Sequence, residues 1–226
     1  MPYTQLRLGV LLLGVAMVGA PLSPAHAIPT IDFGLVAPTT GTLSYGGGTA
    51  PLVGMNLEVD NVTGLQTPLN TGVSLSCTGC LLNFITGPLG SPWNWAGPGL
   101  ISLDGAIPGA GIGSTTNLFT GTFLNATIVP LSGVTVVALT NFTATNNAGI
   151  TGFFGMPSGP GYVGTINLSF QVPTGTVTGG AFNTASGGQV LSGDTALTAP
   201  EPASILLLGF ALAGLGLLTS TRRQIA

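Results

Sequence analysis

No lysine occurs anywhere in this chain, and its only cationic side chains are Arg7, Arg222 and Arg223, all near one end or the other. Between Ile28 and Ala199 there are five carboxylates (Asp32, Glu58, Asp60, Asp104 and Asp194) and no Lys, Arg or His. That stretch cannot form a side-chain salt bridge. It also presents nothing cationic to phosphates, which counts against nucleic acid as a partner and against phosphoryl transfer with its usual cationic clamp. The single histidine, His26, lies near the start, so a Ser-His-Asp or Cys-His arrangement has no imidazole to use in the long middle of the chain. A two-carboxylate glycosidase stays formally open, but nothing marks a pair among the five acids. The expectation is a non-enzymatic protein with no catalytic residues.

Cysteine is nearly as scarce. Cys77 and Cys80 are the only two, separated by Thr78-Gly79. A structural zinc site needs four thiolate or imidazole ligands, and two thiols do not supply them, so no metal or other cofactor is expected. A redox CxxC belongs at a helix start beside a βαβ pattern, and neither context is visible. A local disulfide on a turn between strands is the favoured reading. A loop that short removes little chain entropy when closed.

Charge makes up only 4% of residues and hydrophobic side chains 45%, which is the opposite of a disordered composition. Short β-forming runs recur at 31–36, 52–59, 81–86, 118–129, 134–145 and 165–172, and turn-rich stretches such as 86–99 and 154–164 lie between them. Val53, Met55, Leu57 and Val59 alternate with Gly54, Asn56, Glu58 and Asp60, which predicts one buried and one wet face. No helical period of useful length appears. The expectation is an all-β domain, an antiparallel β-sandwich or relative, over 28–198. Gly-Thr recurs at Gly41, Gly121 and Gly164 at unequal intervals, which does not support a solenoid. The stretch from Thr195 to Pro202 reads as a short linker.

The two ends read as addresses. Arg7, an apolar run from Leu8 to Ala20 and the Ala25-His26-Ala27 site match a secretory signal peptide over 1–27, with a mature start at Ile28. At the other end, Pro200-Glu201-Pro202 precedes an apolar stretch from Ala203 to Leu218, followed by Arg222 and Arg223. This predicts a transmembrane helix over 203–220 with a basic topological stop, leaving the middle of the chain outside the cytoplasmic membrane.

The order of tripeptide, apolar span and terminal arginines over 199–226 resembles the PEP-CTERM sorting tail of bacterial exported proteins. That resemblance implies recognition at Pro200-Glu201-Pro202 by an exosortase, a membrane protease-transferase, and a transient anchor followed by placement at the cell surface or outside the cell. It also implies a setting of extracellular polysaccharide or biofilm matrix. The logic parallels other hydrophobic tails that are held in the membrane and then removed.

Within the middle, Trp93 and Trp95 lie at i and i+2 and share a side if the segment is extended. Exposed, they would form a stacking platform for sugar rings, the basis of an alternative reading as a carbohydrate-binding module. Burial against the core is the commoner state of tryptophan. Glu58, Asp60 and Asn61, with Asp32 or Asp104, could supply oxygens to calcium, but no EF-hand spacing is present, and a solvated strand edge is favoured. Thr143 and Thr145 sit on a Thr-rich strand of the kind an ice or surface binder uses, although the spacing is irregular. Asn61, Asn125, Asn141 and Asn167 begin N-x-S/T triplets, a weak signal in so Asn-, Ser- and Thr-rich a chain.

Overall fold

The computed structural model describes residues 28–130, 134–171, 180–186 and 189–199. The signal-peptide region 1–27 and the whole sorting tail from Pro200, with its expected transmembrane segment, lie outside them. Among the described residues no helix is long and apolar enough to cross a membrane.

Among the described residues eleven strands form a single antiparallel sheet: β1 (Thr30–Leu35), β2 (Thr42–Tyr45), β3 (Leu52–Leu65), β4 (Ser74–Ile85), β5 (Leu89–Ser91), β6 (Asn94–Ile107), β7 (Ile112–Pro130), β8 (Thr135–Asn146), β9 (Gly159–Gln171), β10 (Phe182–Asn183) and β11 (Gln189–Thr198). A path runs β1-β11-β9-β8-β7-β6-β4-β3, and β3 pairs back onto β1 through Thr30↔Leu65 to Gly34↔Asn61. The all-β antiparallel expectation therefore holds. The sheet, however, closes on itself as an eight-stranded ring instead of splitting into two stacked sheets, and closure removes the free edges a sandwich leaves open.

Closure depends on the long β3. Its second half pairs with β1 and its first half with β2, which in turn carries the short β10 as an extra flap. The link between β1 and β2 is pinned by the carboxylates opposite it. Val36 N–H donates to Asp60 Oδ2 at 2.7 Å, and the Thr40 hydroxyl donates to Glu58 Oε2 at 2.9 Å.

The interior of an eight-stranded barrel is just wide enough to be filled by side chains. Here Phe33, Phe119, Phe123, Phe142, Phe170 and Trp95 fill it. Phe33 and Phe119 meet at 5.2 Å between ring centroids. Where Phe123 and Phe142 lean over the neighbouring strand, the cross-strand partner is glycine. A Cβ on Gly99 would enter the Phe123 ring, and one on Gly164 would enter the Phe142 ring. Among the described residues two buried polar side chains find no hydrogen-bond partner: the Thr195 hydroxyl and both amide atoms of Asn146.

The predicted alternation of β3 is interrupted. The register against β4 shifts between Gly54 and Leu57, where Asn56 takes a positive φ of 52°. Leu57 and Val59 are buried as expected, but Met55 is 53% exposed and Gly54 takes the inner position. Asparagine tolerates this left-handed conformation better than most residues, which lets the strand swap faces there.

Among the described residues a short α-helix, α1 (Ala148–Phe154), was not foreshadowed by any helical period. Asn147 caps it, its side chain accepting from Gly149 N–H at 2.8 Å, and Gly155 ends it at φ 67°. Ile150, Thr151 and Phe154 are buried, so α1 plugs one mouth of the barrel. Leu69 N–H donates to Phe154 O, and the Asn70 amide donates to Phe153 O, tying the β3–β4 turn to that plug. At seven residues, α1 is held by packing and capping and would be marginal alone.

Candidate functional site

The mouth opposite α1 is closed by aromatic side chains. There the β2–β3 turn, the β5–β6 turn and β10 converge, and Tyr45 meets Trp95, Trp93 and Phe182 at 5.3, 6.2 and 6.0 Å between centroids. Phe182 stacks in turn on Phe170 at 5.5 Å. Beside this cluster opens a cleft of about 300 Å³ lined by Tyr45, Leu89, Gly90, Ser91, Pro92 and Trp93.

The two tryptophans do not share a role. Ser91 pairs with Asn94, so Pro92 and Trp93 form the two-residue turn between β5 and β6, and the segment is not extended there. Trp95 turns inward. It is 1% exposed, and its indole N–H donates to Ala50 O at 3.0 Å, so it belongs to the core. Trp93 is only half-buried and has φ 60°, in a turn with proline in the preceding position, where glycine or asparagine is the usual occupant. A bulky residue held in that conformation costs about 1–3 kcal/mol and persists only where its surroundings over-determine it. The surroundings are visible: Ile128 N–H donates to Trp93 O at 2.9 Å, and Trp95 packs on the ring at 6.3 Å. The alternative of a platform made by both tryptophans therefore does not form: Trp95 is buried, and Trp93 alone stays partly exposed.

Cys77 and Cys80 are joined as a disulfide, inside β4 instead of on a turn between strands. Against β3, Cys80 faces Val59 and Ser76 faces Asn61, so Cys77, Thr78 and Gly79 bulge out of the ladder opposite Asp60. Gly79 at the apex has φ 58°, which a side chain would strain. The buried Cys80 packs on Gly105 of β6, where an added Cβ would stand 2.7 Å from Cys80 Cα.

The acidic residues are dispersed. Glu58 and Asp60 accept exposed hydrogen bonds from the β1–β2 link on a strand paired on both sides, so they are solvated but do not stand on a sheet edge, and Asp104 accepts from the Asn117 amide at 3.0 Å. Among the described residues no three His, Cys, Asp or Glu side chains gather as a metal site. Asp32 lies on the outer face of β1, two register positions from Asp194 on β11. Burial, and then the Asp194 charge, raises its carboxyl above the ordinary value of 3.8.

Asn167 is exposed on β9, whereas Asn61 and Asn125 are partly buried, and nothing is described of the Asn141 side chain. Thr143 and Thr145 lie exposed on β8 opposite Thr122 and Thr120 of β7, and the Thr122 and Thr143 hydroxyls are 3.4 Å apart. Pro200, Glu201, Pro202, Arg222 and Arg223 lie outside the described residues. What sequence reasoning missed is Tyr45, brought to Trp93 by the β2–β3 pairing. The available signal was Pro92 before Trp93, which marks a turn.

Comparison of the chain with protein-family models, with curated proteins and with solved structures finds no match.

Proposed function

We propose that this chain is an exported, non-enzymatic surface protein, sorted through its C-terminal tail by an exosortase-like membrane protease-transferase and destined for the extracellular polysaccharide matrix. The observation that carries the reading is the order Pro200-Glu201-Pro202, apolar span, Arg222-Arg223. Residues 203–220 act as a transient membrane anchor, and the two arginines hold its end on the cytoplasmic side. Two features of the middle fit that route. A disulfide suits an oxidising compartment outside the cytoplasm. A β-domain stabilised without a single Lys or Arg between Ile28 and Ala199 owes its stability to apolar packing and hydrogen bonds, not to ion pairs.

The test is mass spectrometry of terminal peptides from membrane and extracellular fractions of producing cells, with and without their exosortase activity. The expected mature protein starts near Ile28 and lacks the residues after about Pro202 only when that activity is present. An intact Arg-Arg-Gln-Ile-Ala end in the membrane fraction under both conditions would make the tail a permanent anchor and overturn the sorting reading.

A further inference from the structure

The geometry of the aromatic mouth points to a binding site for a neutral sugar ring, stacked on the exposed face of Trp93. The site belongs to the β-domain and does not depend on how the tail is processed. Four observations converge on it. Trp93 occupies a left-handed turn position in which a residue with a Cβ strains the backbone, and its ring, packed against the core on one side, stays only partly buried there. Its indole N–H meets no acceptor among the described residues, whereas that of Trp95 is spent on Ala50 O. The ring is preorganised: Tyr45 meets it edge-on at 6.2 Å, and the Tyr45 hydroxyl is itself fixed by donating to Gly48 O at 2.6 Å. The adjoining cleft, about 300 Å³, is at the small end of ligand pockets and suits one or two rings.

The charge pattern selects the sugar class. None of Tyr45, Leu89, Gly90, Ser91, Pro92 and Trp93 is charged, and the domain carries five carboxylates and no cation from Ile28 to Ala199. A uronate, sulfate or phosphate group would find no counter-charge there and would be repelled by the domain's net negative field. A neutral pyranose offers an apolar C–H face to the indole and hydroxyls to the Ser91 side chain and the Trp93 N–H. A purely apolar ligand would leave those two polar groups desolvated without partners.

The full chain in detergent is titrated with soluble neutral oligosaccharides of glucose, galactose, mannose and N-acetylglucosamine, and with an oligouronate, at one fixed ionic strength. Binding is followed by tryptophan fluorescence and calorimetry. At least one neutral oligosaccharide is expected to bind and to change the emission, while the oligouronate does not bind. Trp93→Ala is expected to weaken that binding at least about tenfold. Trp93→Gly, which suits the turn, is expected to lose binding to the same extent while melting within a few degrees of the parent, so that lost affinity is separated from lost fold. Failure of every neutral oligosaccharide to bind, binding by both Trp93 variants as tight as the parent's, preference for the oligouronate, or concentration-dependent self-association through this mouth in place of sugar binding would each overturn the proposal.

Discussion

Asp32 is a carboxylate in a position that does not favour its charge. Ile31 and Phe33 on either side point into the barrel, leaving Asp32 on the outer face, partly covered and near Asp194. Burial first and the neighbouring charge second raise its pKa above 3.8. A raised folded-state pKa means that the folded form holds the proton more tightly than the unfolded chain. The resulting stabilisation is complete below 3.8 and is lost as pH rises through the folded value. Asp32→Asn is therefore expected to melt higher than the parent near neutral pH, with the difference closing toward about pH 3. Thermal melts across that range check it, and a constant difference at every pH would contradict the assignment. Thr195 is a second residue-level case. Its hydroxyl is buried without a partner, so Thr195→Val, nearly the same shape, is expected to be neutral or to stabilise by about 1 kcal/mol in denaturant unfolding.

At the scale of elements, the disulfide bulge in β4 combines covalent and steric constraints. The bridge closes a loop of sequence separation 3, so its chain-entropy contribution is at most about 2 kcal/mol. Replacing both Cys77 and Cys80 by Ala is expected to lower stability by roughly 1–2 kcal/mol while leaving the β-sheet circular dichroism unchanged. Gly105→Ala is expected to be as damaging or worse with the bridge intact, because the new methyl meets the backbone and sulfur of Cys80, which cannot rotate away. Cysteine spacing made the bridge legible in the sequence. Its place inside a strand was not, since the bulge is defined only against Val59 and Asn61 on β3. The same limit explains β6, which begins at Asn94 within a stretch rich in Gly and Pro. Pro98 is accommodated at the register shift between Ala96 and Gly99, where the strand need not supply a ladder donor.

For the whole molecule, the decisive element is β11. It pairs with β1 on one side and β9 on the other, so the ring is open without it. The residues Thr195–Thr198, which as a sequence read as linker, are its last turnless segment, with Thr195 and Leu197 facing inward. A chain ending at Ala199 is expected to fold as the full domain, whereas one ending at Asp194 is expected to lose cooperative unfolding. Thermal melts of the two truncations, with a seam left open between β1 and β9 in the second, decide it. Ala199 N–H donates to Pro29 O at 3.4 Å, so the described chain ends lie together at the mouth plugged by α1. Pro200 follows directly. A strand of ten residues spans roughly 33 Å, which places the Trp93 cleft at the far end of the barrel from the point where the tail departs.

By itself, the sequence determined the class of the domain and the kind of force that holds it. Short β-forming runs separated by Gly and Pro turns, with no helical period, specify antiparallel strands, and the absence of lysine, arginine and histidine from the middle rules out ion pairs there. Both are local or compositional properties, readable one residue at a time. Only the tertiary structure decided that the sheet closes, that Trp93 and Trp95 part company across a two-residue turn, and that Tyr45 stands beside the half-buried indole. Each of those depends on register between strands distant in the chain. A shift of one residue exchanges the inner and outer faces, and no local pattern carries that information once bulges such as the one at Asn56 interrupt the alternation.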